Sequence, residues 1–310
     1  AHNLIRKALR KKNKAGNYSQ SPKGRFIMPY VPATDAELEA MLKTIGAQRV
    51  EELFEPIPSE IRLTRPLNLP PAMSEHDLMV HLNELSAENT STWLSFLGGG
   101  IYPHYIPAVV NHLAGRAEFV TSYTPYQPEV SQGTLQAIFE YQSFICLLTG
   151  MDVSNASMYD GASALAEAAL MACRAAGKCK LLVSKGVHPQ YRQVVQTLGT
   201  ASGMILEEIP IGSDGRTVNP RDFLNNQTAA VLMQSPNYFG CIEDLKSAAD
   251  SSHAWGALLV ACTTEALSLA LLTSPGSQNA DIFAAEGQSF GLPQSFGGPL
   301  LGILAIRKEH

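Results

Sequence analysis

Ala280-Asp-Ile-Phe-Ala-Ala-Glu-Gly-Gln-Ser-Phe-Gly-Leu-Pro-Gln-Ser-Phe-Gly-Gly-Pro299 is the stretch on which the fold of this chain turns. It begins as a short apolar strand at 281–285, opens into a loop of Gly, Gln and Ser, and is followed by a second apolar run at 300–306. Strand, polar glycine loop, strand is how an α/β fold presents a ligand pocket at the carboxyl end of its sheet. No lysine stands between Lys246 and Lys308. The loop therefore offers no amine for covalent capture of a carbonyl.

Upstream, the same grammar repeats. Apolar runs at 180–184, 204–209, 229–234 and 257–262 precede the two already named, with helical or irregular pieces such as 191–198 and 242–249 between them. Strands alternating with helices predict a mostly parallel sheet covered on both faces. Tyr159-Asp-Gly-Ala-Ser163 leads into an alanine-rich helix at 164–176. A Gly/Ser turn at a helix start offers free amides to a phosphate, although ordinary N-caps look the same and are commoner. No internal repeat or low-complexity segment interrupts the pattern.

The region before residue 134 is different in character. Thr34-Asp-Ala-Glu37 is a capping box, and the helix it opens carries Leu38 and Leu42 on one face. Pro56, Pro58, Pro66, Pro70 and Pro71 then break regular structure. Ser74 caps a further helix with Leu78, Leu82 and Leu85 at helical spacing. Phe96-Leu-Gly-Gly-Gly-Ile-Tyr-Pro103 cannot be helix interior or central strand. It is either a tight turn or a backbone brought close to a ligand, with Tyr102, His104 or Tyr105 beside it. Thr121-Ser-Tyr-Thr-Pro-Tyr-Gln-Pro-Glu-Val-Ser-Gln-Gly133 is equally aromatic and proline-stiffened, so the two loops are expected to share a pocket rim. A long helix follows, with Leu135, Ile138, Phe139 and Ile145 expected on one side.

Composition narrows the classes of function. In 310 residues, 45% apolar and 16% charged, there is ample material for a packed core. The longest apolar runs, such as 256–262, are far short of the roughly 20 residues a membrane helix needs. Five cysteines form no C-x-x-C pair and mostly lie in apolar segments, which points to reduced thiols and the cytoplasm. The eight histidines lack ligand spacing, so no metal site is expected. Eight of the 23 Lys and Arg fall in residues 1–27, with no acid among them. That segment lacks interleaved aromatics and a regular apolar stripe, and reads as a disordered extension rather than a nucleic-acid or membrane arm.

Taken together, Phe96-Leu-Gly-Gly-Gly-Ile-Tyr-Pro, Tyr123-Thr-Pro-Tyr-Gln-Pro-Glu, Tyr159-Asp-Gly-Ala-Ser and Gly287-Gln-Ser-Phe-Gly-Leu-Pro-Gln-Ser-Phe-Gly-Gly-Pro resemble one family. It is the glycine decarboxylase P-protein of the glycine cleavage system, specifically the α subunit of its two-subunit form. The resemblance covers 28–310. It implies an aspartate-aminotransferase-like α/β fold (the type I fold of pyridoxal-phosphate enzymes). The expected organisation is an extension at 1–27, a helical and loop-rich arm at 28–133 and the large α/β domain at 134–310, with the family's small C-terminal domain expected to be absent.

The same resemblance implies a division of labour. The family's other subunit carries Lys-Thr-Phe-x-x-Pro, whose lysine holds the cofactor. Here the matching run is Gln288-Ser-Phe-Gly-Leu-Pro293, and a neutral amide cannot form an imine. Thr263 and Thr264 stand where fold relatives place the aspartate that faces the pyridine nitrogen, with Glu265 the nearest acid. Asp160, Gly161, Ala162 and Ser163 match the cofactor-phosphate turn and His188 a ring-stacking histidine, all vestigial in this chain. The implied reaction is decarboxylation of glycine with transfer of the aminomethyl group to the lipoyl arm of the H-protein. Pyridoxal phosphate would sit on a β partner in an α2β2 assembly. Tyr102, Tyr123, Tyr126 and Gln127 are the expected border to that partner's site, because phenols donate hydrogen bonds without adding a charge. Two alternatives remain open: a scaffold that only stabilises its partner, and a stand-alone pyridoxal-phosphate aminotransferase or lyase.

Overall fold

The computed structural model describes residues 33–89, 96, 98–120 and 123–310; the expected basic extension at 1–27 lies outside them. The chain divides into two units, 1–90 and 91–310.

In the first unit, helix α1 (Asp35–Ile45) starts at the expected capping box. The Thr34 hydroxyl accepts from the Glu37 amide, and the Glu37 carboxylate accepts from the Thr34 amide at 2.7 Å. Helix α2 (Glu75–Ala87) is capped by Ser74, whose hydroxyl accepts from the Asp77 amide. Between them the proline-rich chain is held by Arg62, whose guanidinium donates to the carbonyls of Phe54, Glu55 and Ile57. None of the described residues of this unit is buried.

The second unit opens with short helices α3 (Ala108–Ala114) and α4 (Ala117–Val120) and the long α5 (Gln132–Thr149). There follow β1 (Val153–Ser154), α6 (Gly161–Ala176), β2 (Lys180–Ser184), α7 (Pro189–Ala201), β3 (Ile205–Ile209), β4 (Thr228–Gln234), α8 (Leu245–His253), β5 (Leu258–Thr263), β6 (Ile282–Glu286) and β7 (Gly302–Ile306). The seven strands form one sheet in the order β1-β7-β6-β5-β4-β2-β3. Strands β2 to β6 run parallel, and β7 is antiparallel to both its neighbours. All six apolar runs read from the sequence become strands. The two-residue β1 was not among them, being too short for any period.

Alternation along each strand builds two cores. Leu182, Val231, Leu259 and Phe283 face Ile145 of α5 and Leu245, Ala248 and Ala249 of α8. Leu181, Val183, Leu232, Val260 and Ile282 face the other way, against Ala164, Ala168 and Ala172 of α6. Alanine suits α6 because small side chains let the helix axis approach the sheet closely. Every residue of β4 is buried, as a central parallel strand requires. On α5 the expected single apolar side divides: Ile145 enters the core, whereas Phe139 is 68% exposed. Phe139 lies about a third of a turn around the helix axis from Ile145, enough to carry it off the sheet. All five cysteines are free thiols, and burial pushes the Cys262 thiol well up. Among the described residues no helix is long and apolar enough to cross a membrane, and no cluster of side chains could hold a metal ion.

Candidate functional site

Parallel strands deliver their last residues to one edge of the sheet, and there the loops after β2, β5 and β6 meet. A cavity of about 550 Å³ lies at this edge. Gly99, Gly100, Asp160, His188, Tyr191 and Glu286 are among the residues that line it, and no lysine or arginine does.

His188, at the start of α7, is buried. Its backbone amide donates to Gln234 Oε1 at the end of β4 (2.8 Å). Its Nδ1 accepts from the Gln190 amide (3.2 Å), which leaves the proton on Nε2 to be donated to the Gly99 carbonyl (2.6 Å). Tyr191 and Tyr238 pack against the ring at centroid distances of 5.2 and 5.0 Å. Both ring nitrogens are therefore committed to this chain's backbone. The glycine triplet lies directly over this place. A β-carbon on Gly100 would fall 3.3 Å from both His188 Cδ2 and Thr264 Cβ, and its φ of 103° is one that glycine alone adopts readily. In the 96–103 loop the backbone of Gly100 thus lies against side chains of the same chain.

Asp160 is the N-cap of α6: its carboxylate accepts from the Ser163 amide (2.8 Å) and the Ser163 hydroxyl (3.0 Å). The Gly161 amide, the donor a phosphate would seek, is taken by Glu286 Oε2 at 2.9 Å. Glu286 Oε1 accepts from the amides of Gln288 (2.9 Å) and Leu301 (3.0 Å). Burial, aided by the nearby Asp160 charge, pushes the Glu286 carboxyl above its ordinary range, and the three amides pull it back. In turn burial, reinforced by the Glu286 charge, pushes the Tyr141 phenol up to about 12 and that of Tyr191 higher still. Gln288 is buried, with its side-chain amide bonded to the carbonyl of Leu292 in its own loop.

Glu286 and Tyr191 were not singled out from the sequence. A signal for Glu286 existed: it is the one charged residue between an apolar strand and the glycine loop. The expected rim residues lie elsewhere, and none lines this cavity. Tyr123 is fully exposed, Tyr126 is 81% exposed and Tyr102 38%. Gln127 is exposed as well, while Thr121 and Ser122 of the same loop lie outside the described residues. Glu265, the acid nearest Thr263 and Thr264, points its carboxylate at His104 Nε2 (2.8 Å) and at the Leu267 amide.

The glycine cleavage system P-protein family matches residues 28–310. This chain belongs to that family. It is 51% identical to a probable glycine dehydrogenase (decarboxylating) subunit 1 of Desulforamulus reducens, over 91% of this chain and 64% of the relative. A protein described in the same words from Moorella thermoacetica is also 51% identical, over 91% of this chain and 63% of its own length. The chain thus spans a little under two thirds of the relatives it matches. The crystal structure of a glycine decarboxylase P-protein, in inhibitor-bound form, superposes with a TM-score of 0.83 at 47% identity, covering 91% of this chain and 63% of that one. A sphingosine-1-phosphate lyase from Burkholderia pseudomallei reaches a TM-score of 0.59 over 81% of this chain and 63% of that one, and at 13% identity it shares the fold alone. The expected type I fold is thereby met.

Pyridoxal phosphate, which the resemblance implies for this fold, does not fit the cavity of this chain. Position 288 has no amine, the helix-start amides of Gly161 and Ser163 are bonded to carboxylates, and the His188 ring is covered by Gly99 and Gly100.

Proposed function

We propose that this chain is the first of two subunits of a glycine decarboxylase and completes an active site whose pyridoxal phosphate is carried by the second. The observation that carries this reading is the pairing of 51% identity to a decarboxylating subunit 1 with a cavity that refuses the cofactor. The cofactor supplies the electron sink for loss of CO2 from glycine. The lipoyl arm of the H-protein accepts the aminomethyl group, in an α2β2 assembly in the cytoplasm. Free thiols throughout support a reducing compartment. This chain's share is positional: Tyr102, Tyr123, Tyr126 and Gln127 stand on stiffened loops, exposed and free to meet a partner's substrate or cofactor.

Glycine–CO2 exchange by the assembled complex tests the reading, with gel filtration confirming assembly. Tyr102→Phe and Tyr126→Phe should each lower exchange roughly ten- to hundredfold, the effect of removing one hydroxyl that hydrogen-bonds a charged group. Activity within about twofold of wild type for both variants would favour a subunit that only stabilises its partner.

A further inference from the structure

The N-terminus of a helix is a ready anion seat, because its first amides are unpaired and lie at the positive end of the dipole. In α6, sixteen residues long, that seat is filled from within the chain. Both oxygens of Glu286 are engaged, by three amides from three separate pieces of backbone: Gly161 of the helix, Gln288 of the loop and Leu301 at the start of β7. Among the described residues no cation pairs with this carboxylate.

The backbone around it leaves no room to retreat. A β-carbon on Gly161 would fall 2.8 Å from the Glu286 nitrogen, and one on Gly302 would fall 2.8 Å from Met158 Cβ. The segment 158–161 is therefore pressed between β6 and β7.

We propose that Glu286 takes the place of an anionic ligand at the start of α6, closing the cavity to a phosphorylated cofactor and stapling helix, loop and strand together. This rests on the reading that the partner subunit carries the cofactor, and it adds a reason beyond the missing amine. Restoring a lysine at position 288 would not restore the site. An incoming phosphate would have to displace three hydrogen bonds and face the carboxylates of both Glu286 and Asp160.

The test uses the full-length chain, unsubstituted and as Gln288→Lys, Glu286→Ala and the double variant, each titrated with pyridoxal phosphate. Binding is read from the cofactor's absorbance and from the peptide labelled after borohydride reduction. Gln288→Lys alone should give no stoichiometric label at position 288. Adding Glu286→Ala should lower the half-saturating concentration by roughly tenfold or more, as removal of a like charge from a binding seat does. Equal uptake by the single and double variants would overturn the role of Glu286. So would no uptake by either when both keep the wild-type circular dichroism, since exclusion would then lie elsewhere. Label on the unsubstituted chain would instead overturn the reading that the partner holds the cofactor. Should the Ala variants fail to fold, hydrogen exchange of Glu286→Gln decides. Protection of at least one of the Gly161, Gln288 and Leu301 amides should fall at least about tenfold, and unchanged protection at all three would overturn the staple.

Discussion

At the strand ends, the side chains of Glu286, Asp160, His188 and Gln288 each hydrogen-bond to this chain's own backbone, whereas the phenols of Tyr123 and Tyr126, on the 123–127 loop of the same unit, stand in solvent with no hydrogen bond among the described residues. Both regions contain the polar and aromatic groups from which active sites are made. The first uses its hydrogen-bonding capacity to hold the fold, because a buried polar atom left unpaired is costly. The second has its capacity unspent and available to another surface. Satisfaction by the chain itself, rather than residue type, is what separates the two regions.

Three substitutions press on that contrast. Gly161→Val should cost the most, about 3 kcal/mol in denaturant unfolding, the upper end of overpacking penalties. Its new side chain would press on the backbone of Ala285 and Glu286. A loss below about 1 kcal/mol would mean that the helix start is not clamped against β6.

Glu286→Gln should cost about 2 kcal/mol, because one amide end of the new side chain faces backbone N–H donors and leaves at least one unsatisfied. It also carries a pH signature. The folded carboxyl titrates above its ordinary value of 4.5, so the folded state holds its proton longer than the unfolded state does. The stability it contributes is fully present below pH 4.5 and is lost as pH rises toward the raised value. The wild-type advantage over the Gln variant should therefore shrink as pH rises from 4.5 and then level off. An advantage that grows over that interval would show that the three amides outweigh burial.

Tyr123→Phe should do least to the fold. A fully exposed phenol without a hydrogen-bond partner among the described residues contributes within about 0.5 kcal/mol. A larger loss would place the 123–127 loop with the structural region and remove the contrast.

Much of the fold was legible from particular residues. The runs 229–234 and 257–262 are apolar without alternation, which only strands buried on both faces tolerate, and both became central strands. Thr34 and Glu37 announced their helix because a capping box is a local arrangement. β1 stayed hidden because two residues, Val153 and Ser154, have no period to read, and only the edge of β7 makes them a strand. The sequence groups Phe139 with Ile145 on one side of α5, but an amphipathic pattern does not say how much of that side is covered.

The sequence by itself determined the alternation of six apolar strands with helical pieces along the chain, the absence of an amine at position 288, and membership of the P-protein family. Those rest on local chemistry and on the identity of residues. Only the tertiary structure decided what fills the cavity, because Gly161, Glu286 and Leu301 are brought together by strand order and not by proximity in the chain. A carboxylate beside a glycine loop reads the same whether it faces a ligand or a backbone amide. The difference is which donors the folded sheet places within 3 Å of it.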